Sequence, residues 1–146
     1  VSQFAAAMKK HGVKPELETY HTGGPWVMRD LLAQGLIQKP YWIQTVMGYQ
    51  TSSFPTFENV VHLLREMPED TLWLTSGIGP HQLPMTTFAI LLGGHVRVGL
   101  EDYAGDRTPS NLELVEEVAE LALKAGRRLA TCREAADIVQ RSALAA

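Results

Sequence analysis

The chain has 146 residues, 45% of them hydrophobic, and a formal net charge of −3 at pH 7. That is one domain's worth of sequence with enough apolar side chains for a sizeable core, and its acidic balance gives no reason to expect nucleic acid or an anionic membrane as a partner. One cysteine, Cys132, excludes an intramolecular disulfide, no run approaches the roughly 18 apolar residues of a membrane span, and no secretory signal pattern opens the chain, so the expected location is cytoplasmic.

Taken in chain order, residues 2–11 read as a helix stopped by Gly12. Residues 16–22, Glu-Leu-Glu-Thr-Tyr-His-Thr, read as a strand closed by Gly23-Gly24. A second helix follows over 25–34, with Pro25 suited to its first turn and Gly35 at its end. Residues 41–47, aromatic and β-branched, form the clearest strand, ended by Gly48. A polar loop from Tyr49 to Pro55 leads to a helix over 57–66, for which Thr56 is a natural cap. A third strand over 71–76 runs into Gly77-Ile78-Gly79, and a short apolar helix spans 83–92. The fourth strand is expected over 95–101. Ser110 and Glu113 form a capping box that opens the next helix, which Gly126 stops; Thr131 and Glu134 form another before a terminal helix over 133–141.

Strands beginning near 16, 41, 71 and 96, each followed by a helix, make a β/α repeat of parallel-sheet type. A closed eight-stranded β/α barrel needs about 250 residues, and four units supply half of one. The chain also opens on Val1 rather than Met, within an expected helix. The pattern fits either a small doubly wound sheet or half of a barrel whose other half is missing.

The segment His95-Val-Arg-Val-Gly-Leu-Glu-Asp102 carries the most chemistry. It sets an arginine and two adjacent carboxylates at the end of an apolar strand, where parallel β/α proteins place their active sites. Arg97 is four residues before Glu101 and shares its strand face, so its fork can address a carboxylate. Asp102 points the other way in extended chain, but a turn at the strand end brings both acids to one pocket. An arginine beside Asp102 would keep that acid ionised as a base. The competing explanation is an ion pair that merely closes the strand. Elsewhere the plainer explanation is preferred: Gly77-Ile78-Gly79 as a tight turn more than a phosphate cradle, Trp26, Trp42 and Trp73 as core or interface, and Cys132 as part of a capping box.

The run Gly93-Gly-His-Val-Arg-Val-Gly-Leu-Glu-Asp102, with Pro109-Ser-Asn-Leu-Glu-Leu-Val115, resembles the β-keto acid cleavage enzymes, a family that includes 3-keto-5-aminohexanoate cleavage in lysine fermentation. Lys14-Pro-Glu-Leu-Glu18 leading into Thr22-Gly23, and Gly77-Ile-Gly79 with Gln82-Leu-Pro84, extend the resemblance over about residues 8–135. It implies a (β/α)8 TIM barrel of which residues 1–146 are the C-terminal half, the last four β/α units of a single domain. It implies a zinc ion and acetyl-CoA as co-substrate, with a β-keto acid and acetyl-CoA converted to acetoacetate and a new acyl-CoA. On this resemblance Glu101 is the carboxylate zinc ligand, Arg97 and Asp102 the pair that orients substrate and abstracts a proton, and Glu18 an acid facing the substrate. A 1,3-dicarbonyl chelates a Lewis acid through two oxygens, which suits such a metal.

Several positions depart from the family. The resemblance implies that the zinc also takes a His-x-His pair on an early strand, which belongs to the missing half, and none of His11, His21, His62, His81 and His95 has a partner two residues away. His95 is read as structural. His21 stands late in the first strand where an acid is more usual, Gly24 replaces a polar residue, and Pro80-His81 replaces a basic one near the expected CoA phosphates. The alternative to an enzyme is a non-catalytic half-barrel that self-associates to cover its open sheet edges; a homo-oligomer is expected on the same ground.

Overall fold

Two central strands organise the molecule, because they alone carry seven-residue runs rich enough in aromatic and β-branched side chains to pair along their full length. In the computed structural model, which describes residues 1–140, these are β2 (Tyr41–Met47) and β3 (Thr71–Gly77), paired in parallel from Tyr41↔Thr71 to Met47↔Gly77. β1 (Leu17–Thr19) adds to one side and β4 (His95–Val96) to the other, giving the order β1-β2-β3-β4. The helices are α1 (Ser2–Lys10), α2 (Gly23–Ala33), α3 (Phe57–Glu66), α4 (Gln82–Leu91), α5 (Asn111–Lys124) and α6 (Cys132–Gln140).

Alternation along the strands separates two faces. Tyr41, Ile43 and Met47 of β2, with Trp73 of β3, are buried among Met28 and Leu31 of α2, Val60 and Leu63 of α3, and Met85 and Ala89 of α4. Val96 continues this face toward Val118 and Ala122 of α5. Thr45 and Thr75 also lie on the helix side, and their hydroxyls satisfy one another at 2.7 Å while Trp73 Nε1 donates to Thr45 Oγ1 at 3.1 Å. The opposite face carries Glu18, Gln44, Val46, Leu74, Ser76 and Arg97. Sequential strand order with the core helices on one face is singly wound. A doubly wound sheet reverses its strand order at a switch point and covers both faces, so of the two architectures left open by the sequence this is not the one formed.

Most elements fall where the patterning puts them, including β2, α3 with Thr56 Oγ1 accepting from Asn59 N–H, and both capping boxes. The expected end of α6 at residue 141 lies outside the described residues. Two strands are shorter than expected, and in both cases specific hydrogen bonds override β propensity. After Thr19 the chain turns: Thr19 Oγ1 donates to the His21 carbonyl, and His21 Nδ1 accepts from Gly23 N–H. His21 is therefore in a turn and not late in a strand. After Arg97, whose N–H still donates to Thr75 O, the amides of Asp102 and Tyr103 both donate to Gly99 O, and Asn111 Oδ1 captures Leu100 N–H at 2.9 Å. The fourth strand thus ends at Val96, and Glu101 and Asp102 sit in a turn beyond it. Trp26 is 79% exposed on α2, so it belongs to no core of the described residues.

One glycine is fixed by close approach. A Cβ at Gly77 would run into the carbonyl oxygen of His81 and come within 2.9 Å of the Gln82 Cα, both backbone at the start of α4. Backbone cannot swing aside as a flexible side chain can. Gly77→Ala is expected to destabilise the protein by about 1–3 kcal/mol, the usual cost of overpacking; urea unfolding measures it.

Candidate active site

The carboxyl ends of the four strands converge on a cleft of about 390 Å³ lined by Tyr20, Val46, Tyr49, Thr51, Ile78, Arg97, Glu101 and Asp102. Arg97 is its hub. β4 delivers the side chain to the face away from the helices, and the turn that follows folds Glu101 and Asp102 back onto it. Arg97 Nε donates to Asp102 Oδ2 at 2.9 Å and Nη2 to Asp102 Oδ1 at 2.8 Å, a bidentate pair. Nη2 also donates to Glu101 Oε2 at 3.0 Å, and Nη1 to Glu18 Oε1 at 3.3 Å. With the Gln44 amide oriented to satisfy both its ends, its oxygen accepts from Arg97 Nη1 at 2.9 Å and its nitrogen donates to Glu16 Oε1 at 2.8 Å. All five N–H donors of a guanidinium are then engaged. Hydrogen bonding to Asp102 raises the Arg97 pKa further above its already high ordinary value.

The four residues singled out from sequence therefore meet, although not by the route expected. Glu101 does not share a strand face with Arg97; the turn brings it there. Burial separates the two neighbouring acids. Asp102 is 2% exposed at its side chain and Glu101 86%, so one is enclosed against Arg97 while the other stands in solvent. Glu18 Oε2 accepts from the Tyr20 hydroxyl at 2.8 Å, and that bond raises the phenol pKa above its usual value. The turn is pinned from three sides: Gly79 N–H donates to Asp102 O at 2.6 Å, Gln82 Nε2 to Gly99 O at 3.0 Å, and Leu100 N–H to Asn111.

His95 lies toward the amino end of β4, its ring 5.7 Å from Trp42 at a tilted 52°. Burial, then the charge of Arg127, lowers its pKa. The other residues that shape the site escaped sequence reading. Tyr20 lies in a segment expected to be strand, and Gln44 is a fully buried amide inside the clearest strand. A polar side chain in the middle of an apolar strand was a usable signal for Gln44; Gln82 and Asn111, which act through tertiary contacts, offered none.

Three carboxylates around one guanidinium leave a formal excess of two negative charges, an environment that suits a cation. Among the described residues, however, no group of three or more His, Cys, Asp or Glu is placed to hold a metal ion. Glu101, exposed and with Oε1 uncommitted, can contribute one ligand and no more. The described residues alone do not make a zinc site. No described helix is long and apolar enough to cross a membrane.

The family model for beta-keto acid cleavage enzymes matches residues 1–140. The chain is 38% identical over 143 residues to a 3-keto-5-aminohexanoate cleavage enzyme of Fusobacterium nucleatum, covering 95% of this chain and 52% of that protein. It matches a 3-keto-5-aminohexanoate cleavage enzyme of Acetoanaerobium sticklandii to the same identity and coverage. It is 37% identical to a 3-oxoadipate:acetyl-CoA acetyltransferase of Cupriavidus necator, over 92% of this chain and 50% of that one. The chain thus spans about half the length of the curated relatives it matches.

Proposed function

The chain belongs to the beta-keto acid cleavage enzyme family, and from that premise we propose that it forms the strand-end half of an active site that converts a β-keto acid and acetyl-CoA to acetoacetate and a new acyl-CoA. The observation that carries the proposal is the bidentate Arg97–Asp102 pair, its carboxylate buried and the pair opening on a cleft at the carboxyl ends of parallel strands. Asp102 takes the acidic proton between the two carbonyls. The resulting carbanion attacks the acetyl thioester and expels CoA as thiolate, the thiolate adds to the original keto carbon, and carbon–carbon cleavage leaves the acyl-CoA and an acetoacetate carbanion that takes the proton back from Asp102. Arg97 fixes the orientation of Asp102, and Glu18 with Tyr20 borders the substrate's variable end.

The proposal includes closure of the β1–β4 sheet into an eight-stranded barrel by residues outside this chain, with the present residues as its C-terminal half, in a cytoplasmic homo-oligomer. It also includes zinc. Glu101 is proposed as a single ligand in a site that outside residues complete, and the ion would polarise the two oxygens of a 1,3-dicarbonyl. To serve, Glu101 must leave Arg97, and its exposure makes it the carboxylate of the cluster most easily withdrawn.

The test is stoichiometric acetoacetate release by the full-length polypeptide from acetyl-CoA and a panel of β-keto acids that includes 3-keto-5-aminohexanoate and 3-oxoadipate. No release across the panel would overturn the proposal and favour a non-catalytic, self-associating half-barrel. Glu101→Gln should reduce bound zinc and turnover together, read by metal analysis and the same assay. It should leave unfolding by urea within about 0.5 kcal/mol of the parent, as surface substitutions generally do.

A further inference from the structure

Ser76 Oγ is the one buried side-chain polar atom, among the described residues, without a hydrogen-bond partner. Nearby hydroxyls in the same sheet do not share that condition. Thr45 and Thr75 bond each other, and Thr19 reaches the His21 carbonyl. On α4, Thr86 reaches the carbonyl of Gln82. A buried hydroxyl left unpaired costs stability, and such local inconsistencies concentrate at functional positions.

The position of Ser76 says what the hydroxyl serves. Val46 and Ser76 are register partners, and the pairs Thr19↔Thr45 and Thr75↔Val96 place Tyr20 and Arg97 next along the same row. Tyr20, Val46 and Arg97 all line the cleft, as does Ile78, two residues beyond Ser76 on the same face. Ser76 is thus the remaining member of a row whose other three members form the cleft wall. Within this row the other donors are spent: Arg97 has no N–H left, and the Tyr20 hydroxyl is given to Glu18. Ser76 has an uncommitted O–H and lies beside Arg97 in the row.

We propose that Ser76 is a substrate-contacting residue whose O–H donates to an oxygen of the bound β-keto acid once the cleft wall opens enough to expose it. The inference rests on the functional reading above. It deepens that reading by assigning the substrate oxygen a neutral donor that the arginine cannot provide.

Ser76→Ala in the full-length polypeptide is the test. Its kcat/KM for the β-keto acid should fall about tenfold, equivalent to roughly 1.36 kcal/mol, with KM for acetyl-CoA unchanged. Its Tm should equal or exceed that of the parent, because no hydrogen bond of the free protein is lost. Ser76→Cys, which keeps a weak donor, should fall between the two. Unchanged kinetics in Ser76→Ala would overturn the inference alone, and so would an activity loss matched by a lower Tm, which marks a packing role. A parent that neither turns over β-keto acids nor binds acetoacetate by calorimetry would overturn the functional reading and this inference with it.

Discussion

Asp102→Asn should lower kcat/KM for the β-keto acid by about 10²–10⁴-fold, the range general-base catalysis supplies. The substitution keeps the volume of a side chain that is 2% exposed and so preserves packing. It replaces one acceptor oxygen with an NH2 group, which turns two donors toward each other at Arg97 Nε or Nη2 and removes the proposed base. Deuterium wash-in at the carbon between the two carbonyls, followed by NMR at short times, separates the two consequences. If Asp102 moves that proton, enzyme-catalysed exchange disappears with turnover; if exchange persists at the parent rate, the base is another group.

The second large effect is on stability. Arg97→Ala strands Asp102 in a buried position without its guanidinium, and breaking such a pair costs about 3–5 kcal/mol. The lower end is expected here, because Arg97 is itself 29% exposed and water can partly replace it. Arg97→Lys should recover little: a single ammonium cannot meet both oxygens of Asp102 and still reach Glu18 and Glu101. Urea unfolding of Arg97→Ala, Asp102→Ala and the double variant checks this. The double variant should be less destabilised than the sum of the singles, since removing both partners leaves no orphaned charge. Additive values would mean that the pair is not coupled.

The sequence makes the repeat legible because each unit announces itself locally. Tyr41–Met47 has strand composition throughout, and Ser110 with Glu113 states where α5 begins. It also picks out Arg97, Glu101 and Asp102, since charges clustered after an apolar run have few structural reasons to be there. What local reading gets wrong is how they meet. Val98 and Leu100 favour extended chain, but a local turn in which Gly99 O accepts two amides wins, and Asn111, eleven residues away, captures a third amide that proximity in sequence does not reveal. The same limit explains the opposite exposures of Glu101 and Asp102, adjacent in sequence and distinguished only by the turn.

The two parts of the cleft wall differ in how freely they can change over generations. The turn from Arg97 to Tyr103 is tied to the loop after β3, to α4 and to α5, so few replacements there leave the fold intact. Tyr49 and Thr51, by contrast, come from a loop whose attachment to the neighbouring strand's exit includes one amide, Ser53 N–H to Tyr20 O, with Ser52 otherwise bonding within the loop itself. Mutations can accumulate there at little thermodynamic expense. Under the proposed function, drift in residues 49–53 would accommodate new acid side chains while the Arg97 turn stays as it is. A fold arranged this way can give rise to lineages with different substrates and the same chemistry.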